Sequence, residues 1–69
     1  MKFKMEWDGL VDCNGHKEIR TGIHIVIAKD DIDAIQRAYD FFNNGGFLNW
    51  DAILEDINQE NSFVITSDK

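Results

Sequence analysis

Residues 29–58 read KDDIDAIQRAYDFFNNGGFLNWDAILEDIN. The spacing predicts two amphipathic helices joined by a glycine turn and coated with acid. Helix one is expected to begin at Asp30 or Asp31, either of which can cap free backbone amides, and to carry Ile32, Ile35, Tyr39 and Phe42 on one stripe with Ala38 beside them. Asn43-Asn44-Gly45-Gly46 ends it, the glycines supplying positive φ. Helix two is expected to be capped by Asn49, stapled by Leu48 against Ile53, and to bury Trp50, Ile53, Leu54 and Ile57.

The chain before this stretch reads as a hairpin built to receive the helices. Phe3, Met5 and Trp7 alternate with Lys4, Glu6 and Asp8, the period-two pattern of a half-buried strand. Asn14-Gly15 is a strong hairpin signal, and Ile19, Thr21, Ile23, Ile25 and Ile27 then share one face of a second strand. A two-residue turn in simple register would set Trp7 opposite Gly22 and Met5 opposite His24, an apolar face beside a polar one. A bulge at Asp8-Gly9 repairs this, bringing Trp7 to Thr21 and Met5 to Ile23. A three-residue loop ending at Gly15 would do the same but turn Leu10 outward. The bulge is preferred because it also sets Asp12 against Lys17. Downstream, Asn58 to Ser62 is a polar turn and Phe63 to Thr66 a short third strand before a frayed end.

Strand, strand, helix, helix, strand gives an α+β class. The expected architecture is one domain over residues 1–69, a small, mostly antiparallel three-stranded sheet with two helices packed on one face. Its other face, with Lys4, Glu6, Arg20 and His24, should be polar and exposed. At 69 residues the core must be compact. The single Cys13 has no partner in the chain, which with no secretory pattern argues for a reducing, cytoplasmic setting. No apolar run is long enough for a bilayer span.

Thirteen acidic residues against seven basic give a net charge of −6. Nucleic acid and anionic membrane are thereby disfavoured as direct partners. The imbalance is local: residues 1–29 hold four acids and five bases, for +1, whereas residues 30–69 hold nine acids with only Arg37 and Lys69, for −7. Asp30, Asp31 and Asp33 suit a helix N-terminus, and Asp33 can pair with Arg37. On helix two, Asp51 and Glu55 would be like charges at i,i+4, and Asp56 and Glu60 would crowd a C-terminus that prefers cations.

Catalytic constellations are missing. Cys13, His16 and His24 are too few and too separated for a metal site, and Cys13 with His16 lacks an orienting third group. Asp40 to Asp51 matches a calcium loop at Asp40, Asn44 and Gly45 but places Phe42 and Leu48 where oxygen ligands belong. Trp50 fits core packing, whereas Phe47 in the turn fits core or partner equally well. No enzyme activity, cofactor or metal is expected.

Two function classes follow. The first is a binding module whose acidic helices occupy the basic nucleic-acid groove of another protein, with Asp40, Asp51, Glu55, Asp56 and Glu60 as the partner-binding surface. Acids at i,i+4 lie about 6 Å apart along a helix axis, on the order of phosphate spacing. With AYDFFNNGGF in the helix-to-turn region, the chain resembles the small acidic anti-CRISPR proteins of phages in size, acidity and element order. Some of these occupy the DNA site of a Cas effector, so the resemblance implies inhibition without catalysis. The second class is a small regulatory or structural domain whose acidity serves solubility, with an exposed edge strand, either strand two or Phe63 to Thr66, available to pair two chains into a homodimer.

Overall fold

The computed structural model describes residues 1–67, so the end expected to fray beyond Ser67 lies outside the described residues. Its elements are β1 (Lys2–Cys13), β2 (His16–Ile27), α1 (Asp31–Asn44), β3 (Asn49–Asp56) and β4 (Asn61–Thr66). The strands form one sheet in the order β2-β1-β3-β4, every neighbouring pair antiparallel. Strands β2 and β3 therefore run the same way on either side of β1, and α1 makes the crossover that such a pair requires.

The expected three-stranded sheet with two helices is thus corrected to four strands and one helix, because the second predicted helix is β3. Its stretch NWDAILED satisfies two periods at once. Trp50, Ile53, Leu54 and Ile57 fit a helical stripe, but Trp50, Ala52, Leu54 and Asp56 also alternate with Asn49, Asp51, Ile53 and Glu55. What decides is the neighbour: β3 pairs with Phe3 to Leu10 of β1, whose second edge would otherwise be left open. Tertiary pairing overrides a short local pattern. Leu48 is accordingly no staple and is half exposed. The expected third strand is β4, beginning two residues earlier, at Asn61.

The hairpin turn is as the sequence requires, with φ of 53° at Asn14 and 89° at Gly15. Asp12 Oδ1 accepts the Gly15 N–H at 2.9 Å. The bulge at Asp8-Gly9 is absent. Pairing runs in step from Cys13↔His16 to Lys2↔Ile27, with Trp7 opposite Gly22 and Met5 opposite His24. The apparent mismatch is filled by aromatic rings. The Trp7 indole lies over Gly22, where a Cβ would meet it at 2.9 Å, and Phe47 lies over Gly9, where a Cβ would meet it at 2.5 Å. The His24 ring stacks on Phe41 with centroids 4.8 Å apart. Gly9 and Gly22 are seats for rings, and no extra residue is needed.

Helix α1 begins where expected. Asp30 caps it by accepting the Asp33 N–H at 2.8 Å, and the Asp33 carboxylate accepts the Lys29 N–H at 3.1 Å and the Arg37 Nε–H at 3.0 Å. These bonds, Arg37 first, hold the Asp33 carboxyl below its ordinary pKa. Gly45 closes the other end, its N–H bonded to the Phe41 carbonyl, and Gly46 takes φ of 70°. The buried stripe is Ala34, Ala38 and Phe42, with Ile35 and Phe41 half-buried. Ile32, expected inside, is 74% exposed. Phe42 stacks on Trp50 at 4.0 Å, over a core of Phe3, Met5, Val26, Ala52, Leu54 and Ile65.

Candidate docking surface

All of this packing is on one side of the sheet. The in-step register sends the alternate residues to the opposite face, and no described element covers it. On β2 that face carries Ile19, Thr21, Ile23, Ile25 and Ile27; on β1, Lys4, Glu6, Asp8 and Leu10; on β3, Asp51, Ile53 and Glu55; on β4, Val64. Ile19 is 75% exposed, Ile23 63%, Ile27 60% and Val64 65%, which is not how a face built only for solvent is composed. The expectation of a wholly polar outer face fails for the same reason as the bulge. Arg20 and His24 belong to the helix side, and the isoleucines take their place outside.

Acid fills the middle of this face. Asp8 and Asp51 are direct cross-strand partners, so their Cα atoms are about 5.5 Å apart. Like charges placed so destabilise a sheet. The ion pairs among the described residues join Lys4 to Glu55 at 3.5 Å, Arg20 to Glu18 at 3.2 Å and Arg37 to Asp33 at 3.0 Å, and none includes Glu6, Asp8 or Asp51. An open trough of about 840 Å³ runs across the face, lined by Glu6, Asp8, Ile23, Asp51, Ile53 and Val64. It offers negative charge at the centre and aliphatic rims on both sides.

The five acids expected to form one surface are divided among three places. Asp51 and Glu55 lie on the open face, Glu55 held by Lys4. On a strand they are about 13 Å apart, so the 6 Å phosphate-like spacing expected of a helix does not occur. Asp40 is exposed on α1, beyond the other side of the sheet. Asp56 is 1% exposed, and its Oδ1 accepts the Asn58 N–H at 3.0 Å and the Gln59 N–H at 3.3 Å, shaping the β3–β4 turn. Glu60 stands in that turn with φ of 57°. Glu6 and Asp8 belong with Asp51 but were assigned to an ordinary solvated face. Only knowledge that β3 is a strand next to β1 would have singled them out.

Asp40 and Asp51 are too divided to close a calcium loop. Among the described residues no three His, Cys, Asp or Glu side chains gather as metal ligands. Cys13 Sγ lies 3.3 Å from the Arg20 guanidinium, which also donates to Glu18 at 3.2 Å. Glu18 first, then Cys13, raise the Arg20 pKa from an already high value. Phe47 is half-buried and packs against the core, its ring centroid 5.2 Å from that of Trp7 and 5.3 Å from that of Phe42. Among the described residues no helix is long and apolar enough to cross a membrane.

Fold and face together define a class: an antiparallel four-stranded α+β sheet with one face under a helix and the other open, acidic at its centre and aliphatic at its rims. Comparison with known proteins finds no matching family model, no similar curated protein and no similar solved structure.

Proposed function

We propose that this protein is a non-catalytic binding module that docks through the open face of its sheet on a basic, partly apolar surface of another protein. The observation that carries this reading is the Asp8–Asp51 pair, held without an ion-pair partner among the described residues between the exposed isoleucine row of β2 on one side and Ile53 and Val64 on the other. A Lys or Arg from a partner relieves the repulsion while the rims bury apolar surface, so both terms favour the complex. Basic surfaces of this kind are what nucleic-acid-binding proteins turn toward phosphates. Docking there excludes nucleic acid and makes the module an inhibitor, acting in the reducing cytoplasm where a lone thiol is stable.

The resemblance to phage anti-CRISPR proteins rested partly on a hairpin followed by two acidic helices, and the second of those helices is a strand. Size and acidity remain, which leave a Cas effector as one candidate target within the wider class.

The reading is tested by immobilising the protein, capturing proteins from a bacterial lysate at low salt, and eluting with double-stranded DNA or with salt. Basic proteins released by both support it. Capture that persists in high salt and is indifferent to DNA removes the basis of the proposal.

A further inference from the structure

We propose that two copies of this chain pair through the outer edges of their β2 strands, forming one eight-stranded sheet about a two-fold axis at Gly22. The inference rests on the edge of the sheet, an observation separate from the acidic centre of its face.

Strand β2 is an edge strand of twelve residues with no Pro. Its backbone directions are fixed by the last pair of the hairpin, in which the Ala28 N–H bonds to the Met1 carbonyl at 2.9 Å and the Met1 amino group to the Ala28 carbonyl at 2.6 Å. Antiparallel pairs alternate, so the even residues His16 to Val26 turn their N–H and C=O toward β1. Lys17, Ile19, Thr21, Ile23, Ile25 and Ile27 turn theirs outward. Natural edges are blunted by bulges, prolines or charges. From Ile19 to Ile27 the outward residues have none of these, in a chain whose net charge is −6.

A second copy fits this edge by symmetry. With the axis at Gly22, Ile19 faces Ile25 of the other copy, Thr21 faces Ile23 and Lys17 faces Ile27, all by hydrogen-bonded pairs. No two Asp or Glu and no two Lys or Arg side chains are opposed, Arg20 facing His24 and Glu18 facing Val26, and the alignment uses the whole strand. Moving the axis one residue to Ile23 would set Lys17 against Lys29. The Gly22 alignment supplies about twelve inter-chain backbone hydrogen bonds, in the range of the roughly ten that a standard-sized interface carries. Across the axis the two Gly22 residues form the close, non-hydrogen-bonded pair, and the half-buried Trp7 indoles above them become neighbours. The two acidic rows then lie on one continuous face, about 14 Å apart by strand spacing.

Sedimentation equilibrium over a concentration series, with hydrogen exchange at both ends of it, tests the proposal. The expected result is a species of twice the monomer mass. In it the amides of Ile19, Thr21, Ile23, Ile25 and Ile27 are protected, whereas at low concentration only the even-numbered β2 amides are. Ile23→Pro removes an outward N–H and keeps the β1–β2 ladder, so it should yield a folded monomer; Thr21→Lys with Ile23→Lys, which leaves the backbone intact and sets like charges directly opposite each other across the axis, should do the same. A chain monomeric throughout overturns the proposal. So does a dimer whose odd-numbered amides exchange as fast as in the monomer, or association that continues past two copies.

Discussion

The Trp7 indole covers Gly22, its cross-strand partner on β2, with ring atoms 2.9 to 3.2 Å from where a Cβ would stand. This pair lets β1 and β2 run in step, and the in-step register puts the isoleucines outside. Gly22→Ala forces the ring to move against Phe41, Phe42 and Phe47, with which it makes edge-on contacts. A loss of about 1–3 kcal/mol is expected, read by urea denaturation, with a change in tryptophan emission before unfolding.

Asp56 is a structural acid. Asp56→Ala leaves the Asn58 amide without its acceptor and the Gln59 amide with the Asp56 main-chain carbonyl alone, and should cost about 1–3 kcal/mol. Asp56→Asn keeps an oxygen in place and should cost less. Thermal melts of the two variants check the order, and charge-reversal experiments aimed at the docking face should leave this residue alone.

Asp51 behaves in the opposite way. Asp51→Asn removes one of two like charges facing each other across β1 and β3, so it should stabilise the fold by roughly 0.2–1 kcal/mol while weakening capture of basic proteins. Greater stability with weaker binding is the signature of a charge kept for a partner. Denaturation and capture assays on the same sample read both sides.

Asp33 gives the chain a defined acid response. Its folded pKa is lowered, chiefly by Arg37 and then by the Lys29 amide, from an ordinary value of 3.8. The unfolded chain therefore binds the proton more readily, and the Asp33 contribution is full above that value and lost as pH falls through the lowered one. The stability gap between wild type and Asp33→Asn should be open at neutral pH and close in strong acid, as followed by helix circular dichroism.

Much of the fold was legible where local chemistry fixes the backbone. Asn14-Gly15 set the hairpin turn, Asp30 the helix start and Gly45-Gly46 its end, because each meets a requirement within a few residues. The stretch from Asn49 to Asp56 was not legible in the same way. Its pattern fits a helix and a strand, and the choice depends on β1, some forty residues earlier in the chain. The β1–β2 register failed for a related reason: hydrophobic matching assumes that apolar side chains face apolar side chains, whereas here glycines face rings and His24 faces Phe41. The candidate site inherited both errors. Asp51 and Glu55 were found by their charge, but Glu6, Asp8 and the isoleucine row join them only once β3 is beside β1 and the register runs without a bulge.

Under the proposed function the open sheet face, and not acidity as such, does the binding. Two charge-matched variants separate these: Asp8→Lys/Asp51→Lys on the open face, and Asp31→Lys/Asp40→Lys on the exposed side of α1. Capture of basic proteins at low salt should be lost with the first pair and kept with the second. Equal loss with both would reduce the interaction to net charge, and capture unchanged by either would contradict the assignment of the face.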